Sequence, residues 1–399
     1  MRITLIIVLA LLIIQLAVDA YLFFIAWRRR RSPGLAKFQL YESAFFIIYV
    51  IVLGCMLARR GTGEGMSTLM WMIFIYILVY LPKLVFVLFD LLASVPELFH
   101  RRRLKWVTQL GVLAAAAAAL MLLWAALVNR VSLQVNEVPV QVENLPPSFS
   151  GYRIAQISDL HLASFGSDTA FVSRLVDRVN SLHPDIVVFT GDLVSECALE
   201  AEPFVAPLSR LSAPDGVLSI LGNHDYGDYA RWNSPEEKER DREHLMDLQI
   251  EMGWDLLTNC AETVYGKAPG DSLVFIGVEN WGEPPFPAYG DLGEAYPTPA
   301  DSAVKVLLTH NPRHWTDVIA PADTMNIALT LSGHTHAMQI QLGSWSPSQW
   351  RYPDCWGGLY TAPDGHRHLY VNIGAGTVGY PMRIGATPEI TVFTLHDKK

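Results

Sequence analysis

The sequence predicts an α/β domain carried behind four membrane-spanning helices. Three observations lead there. The first 128 residues are dominated by Leu, Ile, Val, Phe, Ala and Met and hold four long apolar runs. Beyond residue 150, short apolar runs alternate with a helical pattern. Those later runs end in polar motifs built from Asp, Asn and His.

The four apolar runs cover about 3–27, 38–57, 67–92 and 107–128. Each reaches the roughly twenty residues that a helix needs to cross the hydrocarbon core. A signal peptide is the competing reading of the first run, because Val18-Asp19-Ala20 resembles a cleavage site. Its positive charge lies on the wrong side: Arg2 precedes the run, whereas Arg28 to Arg31 follow it. We read an uncleaved helix. Arg28–Arg31 and Lys37 load the first loop, and Arg101–Arg103 and Lys105 load the third, against Arg59 and Arg60 in the second. Basic loops stay in the cytoplasm. The sequence therefore predicts a multi-pass protein of the cell (inner) membrane, with its C-terminal domain outside the cytoplasm.

Glu42, Lys83 and Asp90 are the ionisable residues this reading singles out within the spans. Glu42 and Asp90 lie near helix ends, within reach of headgroups. Lys83 admits three readings: a functional cavity, a carboxylate partner, or snorkelling. The run of six alanines in the fourth span makes a thin helix suited to close packing.

Residues 129–150 read as a linker strand, since Val131–Val142 alternates apolar and polar positions before Pro146-Pro147. The domain proper then runs over 151–399. Its organising stretch is Tyr152–His161, an apolar strand that runs into Asp159-Leu160-His161. Read as extended chain, Asp159 and His161 point to one side. Further runs deliver Gly191-Asp192, Gly222-Asn223-His224-Asp225, His310, and Gly333-His334-Thr335-His336. Ser167–Leu182 has helical spacing between the first two strands, which argues an α/β fold with its binding residues at strand C-terminal ends. Ser272–Val278, His368–Ile373 and Glu389–Leu395 add strands with less helix between them, as in a sandwich with a mixed second sheet. Ser234–Gln249 reads as a solvated, capped helix.

The collected side chains are Asp159, His161, Asp192, Asn223, His224, His310, His334 and His336. Imidazole, carboxylate and amide oxygen without thiolate suit a divalent ion such as Mn²⁺, Fe or Zn²⁺. They are too many for one catalytic ion that keeps a position open, and they suffice for two ions. The net charge of −9 argues against nucleic acid held on a basic face. Cys55 lies in an apolar run, and Cys197, Cys260 and Cys355 leave room for one disulfide without requiring it. Gly374–Gly379 matches GxGxxG, but Pro381 follows where a dinucleotide site needs a helix.

The ordered motifs DLH, GD, GNHD, TH and GHTH resemble the calcineurin-like metallophosphoesterases over about 150–399. The forms GDLV, GNHDY and SGHTHAMQ resemble the membrane-associated bacterial branch of YkuE-like phosphoesterases. The resemblance implies a β-sandwich of two mixed sheets flanked by helices. It implies one metal on Asp159, His161, Asp192 and His336, and a second on Asp192, Asn223, His310 and His334, with Asp192 bridging. Mn²⁺ is the first choice, with Fe or Zn²⁺ as alternatives. Asn223 and His224 would touch the phosphate, and His224 would protonate the leaving oxygen.

The expected reaction is hydrolysis of a phosphate mono- or diester by in-line attack of a metal-bridging hydroxide. The expected partners are membrane lipids and a phosphate ester, with a lipid-linked one in view. GDLVSE lacks the Asp-Arg pair of the family's protein phosphatases, so phosphate recognition needs another group. Arg383 is the candidate, against the reading of a surface arginine. Loop Glu279–Pro299 is expected to flank the cleft. A non-catalytic metal-binding outer domain on a sensor or transporter is the competing function, opposed by the small number of intramembrane charges.

Overall fold

The computed structural model describes residues 2–29, 31–58, 65–284, 287–297, 302–322 and 325–398. Part of the predicted cleft loop, 285–286 and 298–299, lies outside them. The chain forms two compact units: the first ends at Val128 but also takes in Gly379–Met382, and the second begins at Asn129.

The N-terminal unit consists of α1 (Arg2–Phe24), α2 (Pro33–Ala58), α3 (Met66–Ser94) and α4 (Lys105–Leu127). All four are long and apolar enough to cross a membrane. Their outward faces carry residues such as Ile13, Ile48 and Leu113, all exposed. Inside, Phe46, Val50, Tyr76, Tyr80 and Val87 pack together. A Cβ on Gly111 would lie 2.6 Å from the Cβ of Phe89, so glycine permits the close approach of α4 to α3.

The buried polar groups here differ from the sequence reading. Asp19, which that reading treats only as part of a cleavage-site pattern, is a buried centre. Lys83 Nζ lies 3.2 Å from Asp19 and 2.6 Å from Glu42. Gln39 donates to both carboxylates, and Tyr80 donates to Asp19 at 2.9 Å. Among the three readings of Lys83, the carboxylate partner is the one observed. Asp90 is equally enclosed: Arg29 and Arg103 pair with it, and Tyr21 and Thr108 donate to it. Glu42 and Asp90 thus bind inside the bundle, where the sequence places them near headgroups. The small charge count used against transport was too low.

The C-terminal unit is a β-sandwich of two six-stranded mixed sheets. The first sheet runs β1 (Gln134–Val142), β12 (Glu389–Asp397), β2 (Arg153–Ile157), β3 (Ile186–Phe189), β4 (Val217–Ser219) and β5 (Asp255–Leu256). Strands β2 to β5 are parallel, while β12 is antiparallel to β2 and parallel to β1. The second sheet runs β10 (Gly358–Thr361), β11 (His368–Val371), β9 (Ile327–Ser332), β8 (Val304–Leu308), β7 (Ser272–Gly277) and β6 (Cys260–Tyr265).

Ile154, Val188, Ile220, Phe275, Leu308, Leu331 and Phe393 fill the space between the sheets. Each such side chain contributes about 1.5–3 kcal/mol on burial. Two helices, α5 (Ala170–Ser181) and α6 (Pro235–Glu251), cover the outer face of the first sheet through Phe171, Leu175, Val179 and Leu245. Ser234 caps α6 by accepting from the amide of Glu237. The predicted linker strand is β1, paired residue for residue with β12 from Gln134↔Glu389 onward. All four thiols are free, so no disulfide forms.

Candidate metal centre

The parallel core of each sheet ends at the same rim, and the polar motifs meet there. Gln156 on β2 ties the sheets beneath that rim, its amide donating to Thr190 Oγ1 and to the carbonyl of Ser332. Beyond Ile157 the chain leaves the extended conformation. Asp159 and His161 have φ of 51° and 41°, in the left-handed region. Their amides donate to the carbonyls of Gly191 and Asp192. The two side chains therefore converge through left-handed turns held by the neighbouring loop, and strand alternation is not the cause. Asp192, His334 and His336 also have positive φ. Non-glycine residues held this way cost about 1–3 kcal/mol each and gather at functional sites.

Two glycines make room for this packing. A Cβ on Gly222 would lie 2.2 Å from Asp192 Oδ1, and one on Gly333 would lie 2.3 Å from Asp159 Oδ2. No side chain fits at either position.

Two groups of possible ligands result. Asp159, His161, Asp192 and His336 form one, and Asp192, His310 and His334 form the other, so Asp192 is common to both. Asn223 joins the second group: its Oδ1 lies 2.7 Å from His334 Nδ1 and 3.1 Å from His310 Nε2. Asp192 Oδ2 lies 3.2 Å from His310 Nε2 and 3.4 Å from His161 Nε2. It is buried without a hydrogen-bond partner. Asp192 Oδ1 accepts from the amide of His224 at 2.9 Å. A buried carboxylate oxygen facing two imidazole nitrogens, with no donor spent on it, is what a shared divalent cation requires.

Protonation agrees with that fit. Burial alone would raise the carboxyls of Asp159 and Asp192, but neighbouring histidines outweigh it. Asp159 is held at about 2 and Asp192 well below its usual range. Burial lowers His334 to about 3 and also lowers His161. His310 is the exception: Asp192 and Asp159 overcome burial and raise it to about 9. The carboxylates draw positive charge to this spot, and a cation would take it in exchange for the proton. The outer nitrogens are fixed as well. His310 Nδ1 bonds the carbonyl of Thr190, His161 Nδ1 meets Ser195 Oγ, and His334 Nε2 meets the Tyr352 hydroxyl. Such outer partners set the tautomer and ring orientation of ligating histidines.

His224 stands at the mouth, half-buried, its ring stacked on Tyr229 at 4.0 Å. Its Nδ1–H donates to the carbonyl of Ser195 at 2.7 Å. Arg383 is fully buried, so the surface reading fails. Its guanidinium donates to the carbonyls of Gly376, Ala386 and Ile373 and lies 3.4 Å from His336 Nδ1. These bonds brace the candidate ligand His336 and the loop beside Asp159.

Sequence reasoning passed over Asp225, whose carboxylate accepts from the amides of Asp192, Val194 and Gly222 and locks two ligand loops together. Its place at the end of GNHD was the available signal. Tyr352 gave none. In the cleft loop, Glu279 accepts from Tyr226 and Asn259, and Glu283 pairs with Arg313 and Arg351.

The way the chain enters this unit bears on the site. Strand β1 starts at the ligand rim, because it runs parallel to β12 and therefore antiparallel to β2. Two residues after α4 ends, Asn129 donates to the carbonyl of Arg383 at 2.8 Å and accepts from Thr387. Arg130 donates to the carbonyl of Ser164.

The family model described as "Calcineurin-like phosphoesterase" matches residues 152–338, the stretch that carries every candidate ligand named above. A second, "Probable Calcineurin-like phosphoesterase, transmembrane domain", matches 1–130. An uncharacterized metallophosphoesterase of Bacillus subtilis, YkuE, is 31% identical over 270 residues, covering 66% of this chain and 85% of YkuE. The chain belongs to the calcineurin-like phosphoesterase family. As such it is a membrane-embedded, metal-dependent phosphoric ester hydrolase. A Chlamydia trachomatis protein named UDP-2,3-diacylglucosamine pyrophosphatase LpxG is 29% identical over 297 residues, 62% of this chain and 85% of that one. A Danio rerio transmembrane protein with a metallophosphoesterase domain is 30% identical over 266 residues. They cover 66% of this chain but 57% of the longer zebrafish protein.

Proposed function

We propose that this phosphoesterase cleaves a phosphate or pyrophosphate ester carried on a lipid, at the outer face of the membrane that holds it. The observation that carries the chemistry is the shared, unsatisfied oxygen of Asp192 between two ligand groups. Asp159, His161, Asp192 and His336 would hold one divalent ion, and Asp192, Asn223, His310 and His334 the other. Mn²⁺ is the first candidate, with Fe or Zn²⁺ as alternatives. When bound, the pair would activate water for in-line attack at phosphorus and offset the charge on its oxygens.

The protein's own part is positioning and proton transfer. His224 spends Nδ1–H on Ser195 O, so Nε2 is left to face substrate. Burial holds His224 at about 4, and it meets the substrate as a neutral imidazole. The incoming anionic phosphate favours its protonated form, which then serves the leaving oxygen. Asn223 orients the ester: its Nδ2 is fixed by Tyr229 while Oδ1 turns to the histidines. Arg383 acts through His336, bracing that ligand.

Two observations support a lipid-borne substrate. The chain enters the catalytic domain at the ligand rim, beside Arg383. The chlamydial relative is named for an acylated nucleotide sugar. The test compares turnover by the purified full chain with Mn²⁺ on UDP-2,3-diacylglucosamine in mixed micelles and on an unacylated nucleotide sugar. Each buried CH₂ is worth about 0.8 kcal/mol, so a preference of roughly tenfold or more is expected. Equal kcat/KM for the two would remove the lipid from the proposal. For orientation, with Cys55 and Cys260 replaced by serine, Lys267→Cys in spheroplasts should react with an impermeant thiol reagent, and Gly34→Cys should not. The reverse pattern would mean an inward-facing enzyme.

A further inference from the structure

The segment that follows His336 has no part in the metal centre. Ala337–Trp350 reads AMQIQLGSWSPSQW and contains no charged residue. It is firmly built at its base. Ser346 Oγ donates to the carbonyl of Ala337, and Ser348 Oγ to that of Thr335. Gln341 N donates to Ile384 O, and Ile384 N donates to Gln339 O. From this base the chain projects a tight turn, Leu342-Gly343-Ser344-Trp345, closed by paired backbone bonds between Leu342 and Trp345. Apart from Ser344, the exposed side chains are apolar. Leu342 is 60% exposed and Trp350 82%, with Met338 and Trp345 also exposed. Trp345 and Trp350 meet edge to face at 6.3 Å.

The same base takes up the membrane tether. Asn129 bonds the carbonyl of Arg383, and the next residue, Ile384, bonds Gln339 and Gln341. The apolar turn is thus continuous with Asn129, the first residue of this unit. Exposed Trp, Leu and Met on an uncharged frame, amid Ser and Gln, have the composition of a headgroup-level contact. A patch of this kind in open water would be an association hazard.

We propose that Met338–Trp350 is an interfacial anchor, with Leu342, Trp345 and Trp350 seated in the headgroup layer of the bilayer that carries α1–α4. This goes beyond the substrate reading, since the anchor would hold the ligand rim against the bilayer whatever ester is cleaved.

The test uses the full chain in nanodiscs of phosphatidylcholine and phosphatidylglycerol. Cys55 and Cys260, the two exposed thiols, are replaced by serine, while buried Cys197 and Cys355 stay. Nitroxide labels are placed singly at Leu342→Cys, Trp350→Cys and Lys267→Cys. Lys267 is exposed in the β6–β7 turn, at the end of the sandwich remote from the ligands. Power saturation with oxygen and with a water-soluble nickel chelate then reports depth. The labels at 342 and 350 should be accessible to oxygen and shielded from nickel, with the reverse at 267. Nickel accessibility at 342 and 350 equal to that at 267 overturns the anchor. Shielding from both reagents also overturns it, and points to a second protein surface. Either label decides alone if the other variant fails to fold. Failure here leaves the acyl-preference assay untouched, so the two readings fall separately.

Discussion

In the membrane unit, Asp19 and Glu42 face Lys83, and Asp90 faces Arg29 and Arg103. In the catalytic domain, the ion-pair partners of Asp159 and Asp192 among the described residues are histidines, and one oxygen of Asp192 has no donor. Both arrangements bury carboxylates at a cost that must be offset. The first offsets it with the chain's own cations, and so it is complete. The second has no lysine or arginine beside it and aims imidazole nitrogens at shared points, which suits it to hold ions. The difference tells structure from chemistry: a buried acid with a lysine braces helices, whereas a buried acid with imidazoles and an idle oxygen recruits metal.

The largest break in that comparison is Asp192→Ala. It removes the one residue common to both ligand groups, and both ions should go. Ion charge stabilisation is worth several kcal/mol, so turnover should fall by roughly 10³ or more. Metal analysis settles it: two ions retained in the variant would end the bridging assignment.

His224→Ala should cost nearly as much by another route. Metal content should hold while turnover drops by roughly 10²–10⁴, the usual size of an acid–base contribution. The loss should shrink for esters with good leaving groups. A loss independent of the leaving group would make His224 a phosphate-positioning residue.

Why one cluster was legible in the sequence and the other was not follows from the same contrast. Asp159, Asp192, Asn223, His310 and His334 each follow a strand of buried apolar residues, and glycines mark three of those turns. Local pattern suffices for them. Asp19 looks like any polar residue near a span's end until α2 and α3 bring Gln39 and Lys83 against it. Arg383 likewise gains its meaning from carbonyls at 373, 376 and 386. Strands β6 and β10 were missed because they are edge strands with alternating exposure and little apolar signal. The period-two argument for Asp159 and His161 reached the right pair for the wrong reason, since left-handed φ cannot be read from residue spacing.

Lys83→Met sharpens the comparison from the other side. It leaves Asp19 and Glu42 without their cation, and breaking a buried pair costs about 3–5 kcal/mol. The midpoint of unfolding of the membrane unit in detergent should fall accordingly. Bound metal and turnover per folded molecule should not change, because Lys83 acts within the helices. A loss of bound metal in this variant would mean the two clusters are coupled.

The smallest expected effect concerns a third way to bury an acid. Glu200 is buried, and burial with the nearby Glu196 charge raises its carboxyl from 4.5 to about 8, against the amides of Ser195 and Glu196 that donate to it. It keeps its proton at neutral pH, with neither a lysine nor a metal. Because the folded value lies above the unfolded one, the native state binds the extra proton between them. This group's stabilisation is fully present below pH 4.5 and is lost as pH rises through about 8. The amides of Ser195 and Glu196 donate to the carboxyl in either form, so the loss reads out as a pH-dependent fall in melting temperature. Glu200→Gln mimics the protonated acid, and so the wild-type melting temperature should fall relative to the variant between pH 5 and 8. A constant difference across that range would show that Glu200 is ionised throughout. It would then stand with Asp159 and Asp192 among the buried carboxylates whose ion-pair partners include no lysine or arginine.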